Sequence, residues 1–466
     1  MILHDPRSYR NAVQTALADG ARFAGLHATA NGTIVRAALT DPDGNTQLVS
    51  ARSANGVVPT IVDLAPAAGW DEREAHDLYG TRFEGHEPLR PLVNHDPVLA
   101  HWTTPVHGED AYQVAVGPIH AGVIESGHFR FHVVGERILH LDARLFYKHR
   151  GLERAAEGHT PDRALPFVGR ACAACAVSNT LAYSQACEEA LGLTPTPELA
   201  RTRTILLELE RAWNHLNDIA AVCAGIGFAA GNNHFAALTE RARRLNAQLT
   251  GHRFLFATVQ IGASNLAIDR PEAQVARREL ARIHTDARTG SRELLFNSSV
   301  QDRLPDIGVV AKDDATRLGT VGPAARAAGL PLDARTATGA HLTYPGFTPV
   351  TPQPATGDVR ARLEQRTLEL TQTLEILDTL LNGHVKPAVA RTGGPIHPIG
   401  IGIVESPRGA TNCIIERNGD HLTRLRLRTG SYANWPTVAF AATANLLPDF
   451  PLINKSFELC YACADR

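Results

Sequence analysis

The sequence predicts an α+β protein in which a small N-terminal α+β domain is followed by a large, mainly helical bundle domain. The chain has 466 residues, which indicates two or three units because a typical domain has about 150 residues. Short β-rich runs occur at the N-terminus and at both ends of the second unit, whereas long runs with helical apolar spacing fill its middle. We therefore expect a domain over residues 1–95, a linker over 96–113 and a second domain over 114–466, with a β-rich opening and a mixed C-terminal segment.

The first domain combines two helical signals with short β-rich runs. Residues 8–17 have helical apolar spacing, and residues 66–79 form a second helical pattern that is acidic at its start and stops at a glycine. Between them, residues 32–39 and 47–50 are β-rich and flank an Asp-Pro-Asp-Gly turn. These patterns predict a small mixed unit.

The second domain opens with a predicted hairpin and continues with long helices. Residues 127–143 alternate apolar and polar side chains, as a half-buried hairpin does. Thr196, followed by proline and glutamate, is a typical helix N-cap and opens a helix that continues to residue 225. Three further helical patterns cover residues 235–259, 271–296 and 359–381.

The charge and hydropathy of the chain exclude several classes of protein. The formal net charge is −2, so no net positive field is present to attract nucleic acid. No run approaches the roughly 18 apolar residues that a membrane-spanning helix needs, and the N-terminus lacks the apolar core of a secretory signal. We expect a cytoplasmic protein that does not bind nucleic acid.

Four of the seven cysteines form two C-x-x-C pairs, Cys172/Cys175 and Cys460/Cys463, which lie 285 positions apart. Four thiolates suit zinc, an iron–sulfur cluster or another thiolate-bound transition metal. The pairs of a zinc ribbon are usually about 15–20 residues apart, so this long separation favours a site buried inside the bundle. The other three cysteines are expected to be buried packing residues: Cys187, Cys223 and Cys413.

Both cysteine pairs lie in segments that resemble the two cysteine boxes of nickel–iron hydrogenase large subunits. These segments are GRACAACAVSN and SFELCYACADR. The stretches IVESPRGAT, RTGSYANWP and LLPDFPLINKSF resemble the energy-converting, formate-hydrogenlyase-like branch of that family. DLAPAAGWDEREAHDLYGTRFEGHEPLR resembles the small hydrophilic subunit of respiratory complex I, which makes residues 1–95 a docking-type domain. The second domain also resembles the complex I quinone-site subunit.

The resemblance implies a nickel–iron centre whose iron carries cyanide and carbon monoxide. Because four of the seven cysteines are committed to this centre, we expect no iron–sulfur cluster in this chain. Cys172 and Cys460 would be terminal ligands of nickel, whereas Cys175 and Cys463 would bridge nickel to iron. Such a centre cleaves H2 heterolytically or forms it, and a terminal thiolate takes up the proton. The resemblance therefore implies a hydrogenase.

Three further residues match functional positions of the family. Glu125 matches a proton-transfer glutamate that would accept the proton from Cys460; alternatively, it is a surface carboxylate at the end of a strand. Arg408 falls where the family places an arginine over the diatomic ligands of iron; alternatively, it forms a surface ion pair with Glu405. Glu153 matches a position that helps to bind magnesium in some relatives.

The sequence departs from the family pattern close to these residues. Asn179 stands where a histidine is usual, Glu458-Leu459 replaces Asp-Pro, and Arg466 replaces a closing histidine beside the magnesium position. These changes alter what hydrogen-bonds to the thiolates, and such neighbours tune potential and metal affinity.

The leading hypothesis is the catalytic large subunit of a membrane-associated, energy-converting hydrogenase. It would exchange electrons with an iron–sulfur small subunit and would be held at the cytoplasmic face of the inner membrane by membrane-integral, proton-translocating-type subunits. A second hypothesis is a complex I-like NADH/quinone or ferredoxin oxidoreductase subunit that has lost the nickel–iron cluster. A third is a non-enzymatic scaffold with a structural zinc.

Overall fold

The structure, a computed structural model, describes residues 3–53, 55–95, 102–120, 125–337 and 339–466. It confirms the predicted α+β class: a small unit built on a sheet precedes a larger unit of packed helices that carries a sheet at each end. Part of the predicted linker, residues 96–101, lies outside the described residues.

The first unit is a four-stranded sheet with helices packed against it. Strands β2, β3 and β4 are antiparallel neighbours, and β1 pairs with β4 in parallel. Both predicted helices are present, and Asp5 caps α1 by accepting hydrogen bonds from backbone amides of its first turn. The elements are β1 (Leu3–His4), α1 (Pro6–Ala18), β2 (Arg22–Ala28), β3 (Ile34–Thr40), β4 (Thr46–Arg52), β5 (Val57–Pro59), α2 (Gly69–Tyr79) and β6 (Arg82–Glu84).

The second unit opens with the predicted hairpin, extended by a third strand into an antiparallel meander. The strands are β7 (Tyr112–Val116), β8 (His128–Val134) and β9 (Arg137–Arg144). β7 begins two residues before the predicted start of the domain, so the tail of the predicted linker is already part of this sheet.

Long helices form the middle of the second unit. Thr196 caps α6 as predicted, through a hydrogen bond that its hydroxyl accepts from Leu199 N. The helix predicted over residues 235–259 starts earlier and ends earlier than expected, since α7 runs from Ala229 to Thr250 and Gly251, with a φ of +80°, ends it. The helices are α3 (Leu152–Ala156), α4 (Pro161–Gly169), α5 (Ala176–Leu191), α6 (Pro197–Gly225), α7 (Ala229–Thr250), α8 (Arg270–Leu295), α9 (Ser298–Gln301), α10 (Lys312–Arg317), α11 (Gly322–Ala327) and α12 (Val359–Leu380). The segments that connect the helices also form two small antiparallel sheets of two strands each. They pair β10 (Leu193–Thr194) with β13 (Arg391–Thr392) and β11 (Ala263–Ser264) with β12 (Ala388–Val389).

The C-terminal part is a three-stranded antiparallel sheet followed by three helices. Its elements are β14 (Ile399–Ser406), β15 (Gly409–Asn418), β16 (His421–Arg428), α13 (Gly430–Ala442), α14 (Phe450–Phe457) and α15 (Tyr461–Asp465). β14 packs directly on α5, since a Cβ atom at Gly402 would lie 2.0 Å from the carbonyl oxygen of Ala182. Glycine therefore permits a close approach that fixes α5, the helix following the first cysteine pair, against this sheet.

A buried ion pair joins the two units. Glu416 on β15 accepts hydrogen bonds of 2.8 Å from His27 Nε2 on β2 and from Arg36 Nε on β3. Burial opposes the ionisation of Glu416, but these two partners outweigh it and lower the pKa of the carboxyl to about 2. The Glu416 carboxylate therefore stays ionised at neutral pH and stabilises the contact between the units.

We expect Glu416→Gln to lower the free energy of unfolding by about 3 kcal/mol at pH 7, because Arg36 loses its buried counter-charge. The folded pKa lies below that of an unfolded glutamate, so this stabilisation is present above about pH 4.3 and disappears as the pH falls towards 2. Denaturant unfolding of both proteins at pH 7, 4 and 3 measures the difference, which should be nearly as large at pH 4 as at pH 7 and clearly smaller at pH 3. Asp63→Asn, which breaks an exposed pair with Arg10, is the control and should cost under about 0.5 kcal/mol. An equal loss in both variants would contradict the assignment.

Candidate metal centre

The four cysteines of the two C-x-x-C pairs meet at one point of the second unit. Their Sγ atoms all lie within 4.8 Å of one another, and Cys175 Sγ is 4.0 Å from Cys460 Sγ. Cys175 and Cys463 are buried, whereas Cys172 and Cys460 are half-buried. Among the described residues, no other group of three or more histidine, cysteine or acidic side chains places its ligand atoms this close together.

Two helix starts position the four thiols. Cys175 directly precedes α5, and Cys460 directly precedes α15. Glu458 ends α14 with a φ of +50°, a left-handed conformation that turns the chain into the second pair. The backbone nitrogen of Cys460 donates a hydrogen bond of 3.0 Å to the hydroxyl of Ser431 on α13. Both pairs are thus held by well-packed helices.

A polar stripe on α6, at Glu210, Asn214 and Asp218, faces the metal centre. The Glu210 carboxylate accepts hydrogen bonds of 2.6 and 3.0 Å from two backbone amides in the first turn of α5. Asn214 Nδ2 donates to the backbone oxygen of Ala174, between the cysteines of the first pair, at 2.8 Å. Burial raises the pKa of Glu210 to about 7. This stripe was not predicted from the sequence, although buried-type helices with polar residues spaced four positions apart carry a usable signal.

Arg408, in the turn between β14 and β15, is buried beside the thiols. Its guanidinium forms a two-pronged ion pair with Asp218, and Nη2 also donates to Asn214 Oδ1 at 3.2 Å. The alternative ion pair with Glu405 does not form, because Glu405 bonds Arg326 Nη1 at 2.9 Å. Within the described residues Arg408 Nε is buried without a hydrogen-bond partner.

The positive charge of Arg408 acts on the thiols. Contacts with the other three thiols, together with this charge, hold the pKa of Cys460 well below its usual value. The site therefore favours negative charge on Cys460, whereas contacts among the thiols raise the pKa of Cys175 and of Cys463.

Glu125 lies against the second cysteine pair at the edge of an open cleft. Its Oε2 accepts a hydrogen bond of 2.8 Å from the backbone nitrogen of Ala462, and its Oε1 is 3.8 Å from Lys148 Nζ. The cleft has a volume of about 600 Å³ and is also lined by Cys172. Glu125 thus lies between the cleft and the segment of the second cysteine pair. Residues 121–124, which precede it, lie outside the described residues.

Glu153 is surrounded by guanidinium groups. Its Oε1 accepts hydrogen bonds from Arg466 Nη1 at 3.0 Å and from Leu427 N at 2.9 Å, and its Oε2 accepts one from Arg424 at 3.2 Å. Burial raises the pKa of Glu153, but the arginines outweigh this effect and lower it. The positive charge that magnesium would supply in the predicted site is supplied here by Arg466 and its neighbours.

The departures from the family pattern also lie at the centre. Asn179 Nδ2 is 3.7 Å from Cys463 Sγ, so the amide donates to a thiol. Burial, with the nearby charge of Asp218, raises the pKa of Glu458 to about 8. The other three cysteines, Cys187, Cys223 and Cys413, are buried in the hydrophobic core, as expected for packing residues.

Two family models match the chain in the order in which the domains occur. Residues 29–107 match the 30 kDa subunit of respiratory-chain NADH dehydrogenase, and residues 226–398 match its 49 kDa subunit. Neither matched stretch contains any of the four clustered cysteines, so these matches describe the scaffold and not the metal centre.

Two curated relatives cover most of the chain. Formate hydrogenlyase subunit 5 of Escherichia coli is 30% identical over 88% of this chain and 77% of its own length. Hydrogenase-4 component G of Escherichia coli is also 30% identical, over 88% of this chain and 76% of its own length.

A solved structure shares the fold. One chain of the membrane-bound sulfane sulfur reductase, an archaeal respiratory membrane complex, superposes with a TM-score of 0.70 and 25% identity. The superposition covers 77% of this chain and 99% of that one. Together, these findings show that the chain is an oxidoreductase subunit of the family of formate hydrogenlyase subunit 5 and hydrogenase-4 component G, a hydrogenase-like branch in which complex I 30 kDa-type and 49 kDa-type domains are fused.

Proposed function

We propose that the chain is the catalytic subunit of an energy-converting hydrogenase whose four clustered cysteines hold a nickel–iron centre. The observation that carries the proposal is the convergence of four thiols beside the buried Arg408 guanidinium. A guanidinium at this position can donate to anionic ligands on iron, and the relatives of the chain include formate hydrogenlyase subunit 5 and hydrogenase-4 component G. The donor set also fits, since soft thiolates select thiophilic metals.

The burial of the four cysteine residues supports the division of their roles. Cys172 and Cys460, the proposed terminal ligands, are half-buried, whereas the proposed bridging ligands Cys175 and Cys463 are buried. A terminal thiolate must exchange protons with its surroundings, so exposure favours that role. When bound, the nickel–iron centre supplies the site at which H2 is split or formed.

Glu125 is proposed to carry protons between the cysteine segment and solvent. Its hydrogen bond from Ala462 N holds the carboxylate two residues after Cys460, and its side chain is 29% exposed to the cleft. A carboxylate placed in this way can receive a proton from Cys460 and release it to water.

We expect Glu125→Gln to lower H2 turnover by at least about 100-fold while the metal content stays unchanged, because glutamine accepts the same hydrogen bond but cannot carry a proton. Metal analysis, alongside H2 evolution from an artificial electron donor, separates a loss of proton transfer from a loss of the metal. Lys148→Met removes the charge 3.8 Å away and serves as the control, with less than about a threefold change expected. Full activity in Glu125→Gln would rule out this proton route.

We also propose that electrons pass to an iron–sulfur partner subunit and that membrane-integral subunits hold the chain at the cytoplasmic face of the inner membrane. None of the helices in the described residues is long and apolar enough to span a bilayer. The solved relative belongs to a respiratory membrane complex, which supports attachment through partners.

A second candidate function is a complex I-like oxidoreductase subunit that has lost the nickel–iron cluster. The cleft of about 600 Å³ beside Cys172 favours this candidate, because H2 needs far less space. Asn179 and Glu458, two of the residues that differ from the hydrogenase pattern, also favour it. H2 turnover that disappears in Cys460→Ser, with the assembly intact, would refute this candidate.

A further inference from the structure

A buried group of arginine and acidic side chains joins the N-terminal unit to the segment that carries the second cysteine pair. We call it the arginine cluster. Three of its arginines alternate along β16 and therefore project from the same face of that strand. Its members are Arg424, Arg426, Arg428 and Arg466, with the acidic partners Asp71, Glu74, Glu153 and Glu157.

Glu74, from α2 of the N-terminal unit, binds two of these arginines. Its Oε2 accepts a hydrogen bond of 2.7 Å from Arg466 Nη2, and its Oε1 accepts one of 2.7 Å from Arg426 Nη1. Glu74 is only 3% exposed and Arg466 only 2%. Burial opposes ionisation of Glu74, but the two guanidinium groups hold its pKa at about 2. The carboxylate is therefore charged and fully committed to this contact.

Arg466 in turn anchors α15, which contains Cys463. The backbone oxygen of Arg466 accepts a hydrogen bond of 2.8 Å from Arg150 N, and its Nη1 donates to Glu153 at 3.0 Å. Asp465, the neighbouring residue, accepts from Phe146 N at 2.7 Å. Arg466 lies three positions after Cys463, so its guanidinium fixes the end of the short helix that presents this thiol.

We propose that Glu74 is a positioning residue for the metal centre, and that the N-terminal unit supports this centre through the Glu74–Arg466 contact in addition to docking. Loss of the Glu74 charge leaves Arg466 with a single acidic partner in a buried site, which frees α15 and the Cys463 thiol. The inference rests on the proposed metal-binding role of the four cysteines.

The test compares Glu74→Gln, Arg466→Gln and the double variant in the purified complex. Hydrogen–deuterium exchange is followed for residues 458–466 and, as a control of folding, for the sheet of the N-terminal unit. Nickel, iron and zinc per chain are measured on the same samples. Asp63→Asn, in an exposed ion pair of the same unit, is the matched control.

Each single variant is expected to speed exchange of residues 458–466 by at least about tenfold and to lower the metal content, while the N-terminal sheet keeps its protection. The double variant should lose less than the sum of the two single variants, because the Glu74–Arg466 contact is counted in both, although Glu74 also pairs with Arg426 and Arg466 with Glu153. Unchanged exchange and metal content in Arg466→Gln would overturn the inference, as would equal loosening of the N-terminal sheet and residues 458–466 in Glu74→Gln. Faster exchange in a chain that contains only zinc would retain the positioning role and overturn the proposed hydrogenase function instead.

Discussion

Replacement of Cys460 with serine is expected to lower H2 turnover of the purified complex by at least about 1000-fold, because even the loss of a residue that supports a metal ligand costs about 10- to 100-fold. Cys460 is one of four thiols whose Sγ atoms lie within 4.8 Å of one another. The other thiols, together with the charge of Arg408, lower its pKa. A serine hydroxyl in its place does not ionise near neutral pH and is a poor ligand for a thiophilic metal. We therefore expect the nickel content to fall with the activity.

Cys187→Ala is the matched control for this prediction. Cys187 lies on α5, the helix that starts directly after Cys175, and is fully buried in the hydrophobic core. Its replacement should cost about 1 kcal/mol of stability and leave metal content and turnover within about twofold. Equal activity in Cys460→Ser and Cys187→Ala would show that the thiol cluster does not form the catalytic site.

The substitution Arg408→Lys is expected to lower turnover by about 100-fold or more while nickel is retained. Lysine keeps the positive charge but lacks the planar guanidinium that forms the two-pronged pair with Asp218 and also bonds Asn214 Oδ1. It also removes the unpartnered Nε that we propose faces the ligands of iron. Turnover per nickel separates this loss from a failure to assemble the centre, and infrared spectra of the iron ligands should shift.

Two companion variants define the cause of that effect. Asp218→Asn leaves the buried Arg408 without its counter-charge and should lower the free energy of unfolding by about 3–5 kcal/mol. Arg277→Lys makes the same chemical change in an exposed two-pronged pair with Asp378 and should cost under about 1 kcal/mol. Normal turnover and an unshifted spectrum in Arg408→Lys would contradict a role beside the metal.

Local patterns predicted the elements of the fold better than their ends. The Thr196 cap and the apolar spacing that follows it are local features, and α6 forms as expected. Residues 251–259 continue an apolar pattern, but Gly251 adopts a left-handed conformation that ends α7. The spacing of apolar side chains alone does not indicate where the backbone leaves the helix. β7, an edge strand with weak alternation, begins at Tyr112, two residues before the predicted boundary at residue 114.

The site was predictable only where residue type restricts the chemistry. Two C-x-x-C pairs predict a metal site because few other roles need four thiols, and the structure brings all four together. The residues around them are common types whose role depends on distant partners. Asp218 and Arg408 are 190 positions apart, and Glu74 and Arg466 are 392 positions apart. Nothing in either local sequence indicates that these charges pair.

Analysis of nickel, iron and zinc in the purified complex, together with infrared spectra of iron-bound cyanide and carbon monoxide, tests the proposed function most directly. The proposal predicts about one nickel per chain together with the infrared bands, and the loss of both in Cys460→Ser. About one zinc per chain, without nickel or infrared bands, would contradict it in favour of a structural zinc scaffold. A complex with four intact cysteines and no bound nickel would contradict it in favour of the complex I-like alternative.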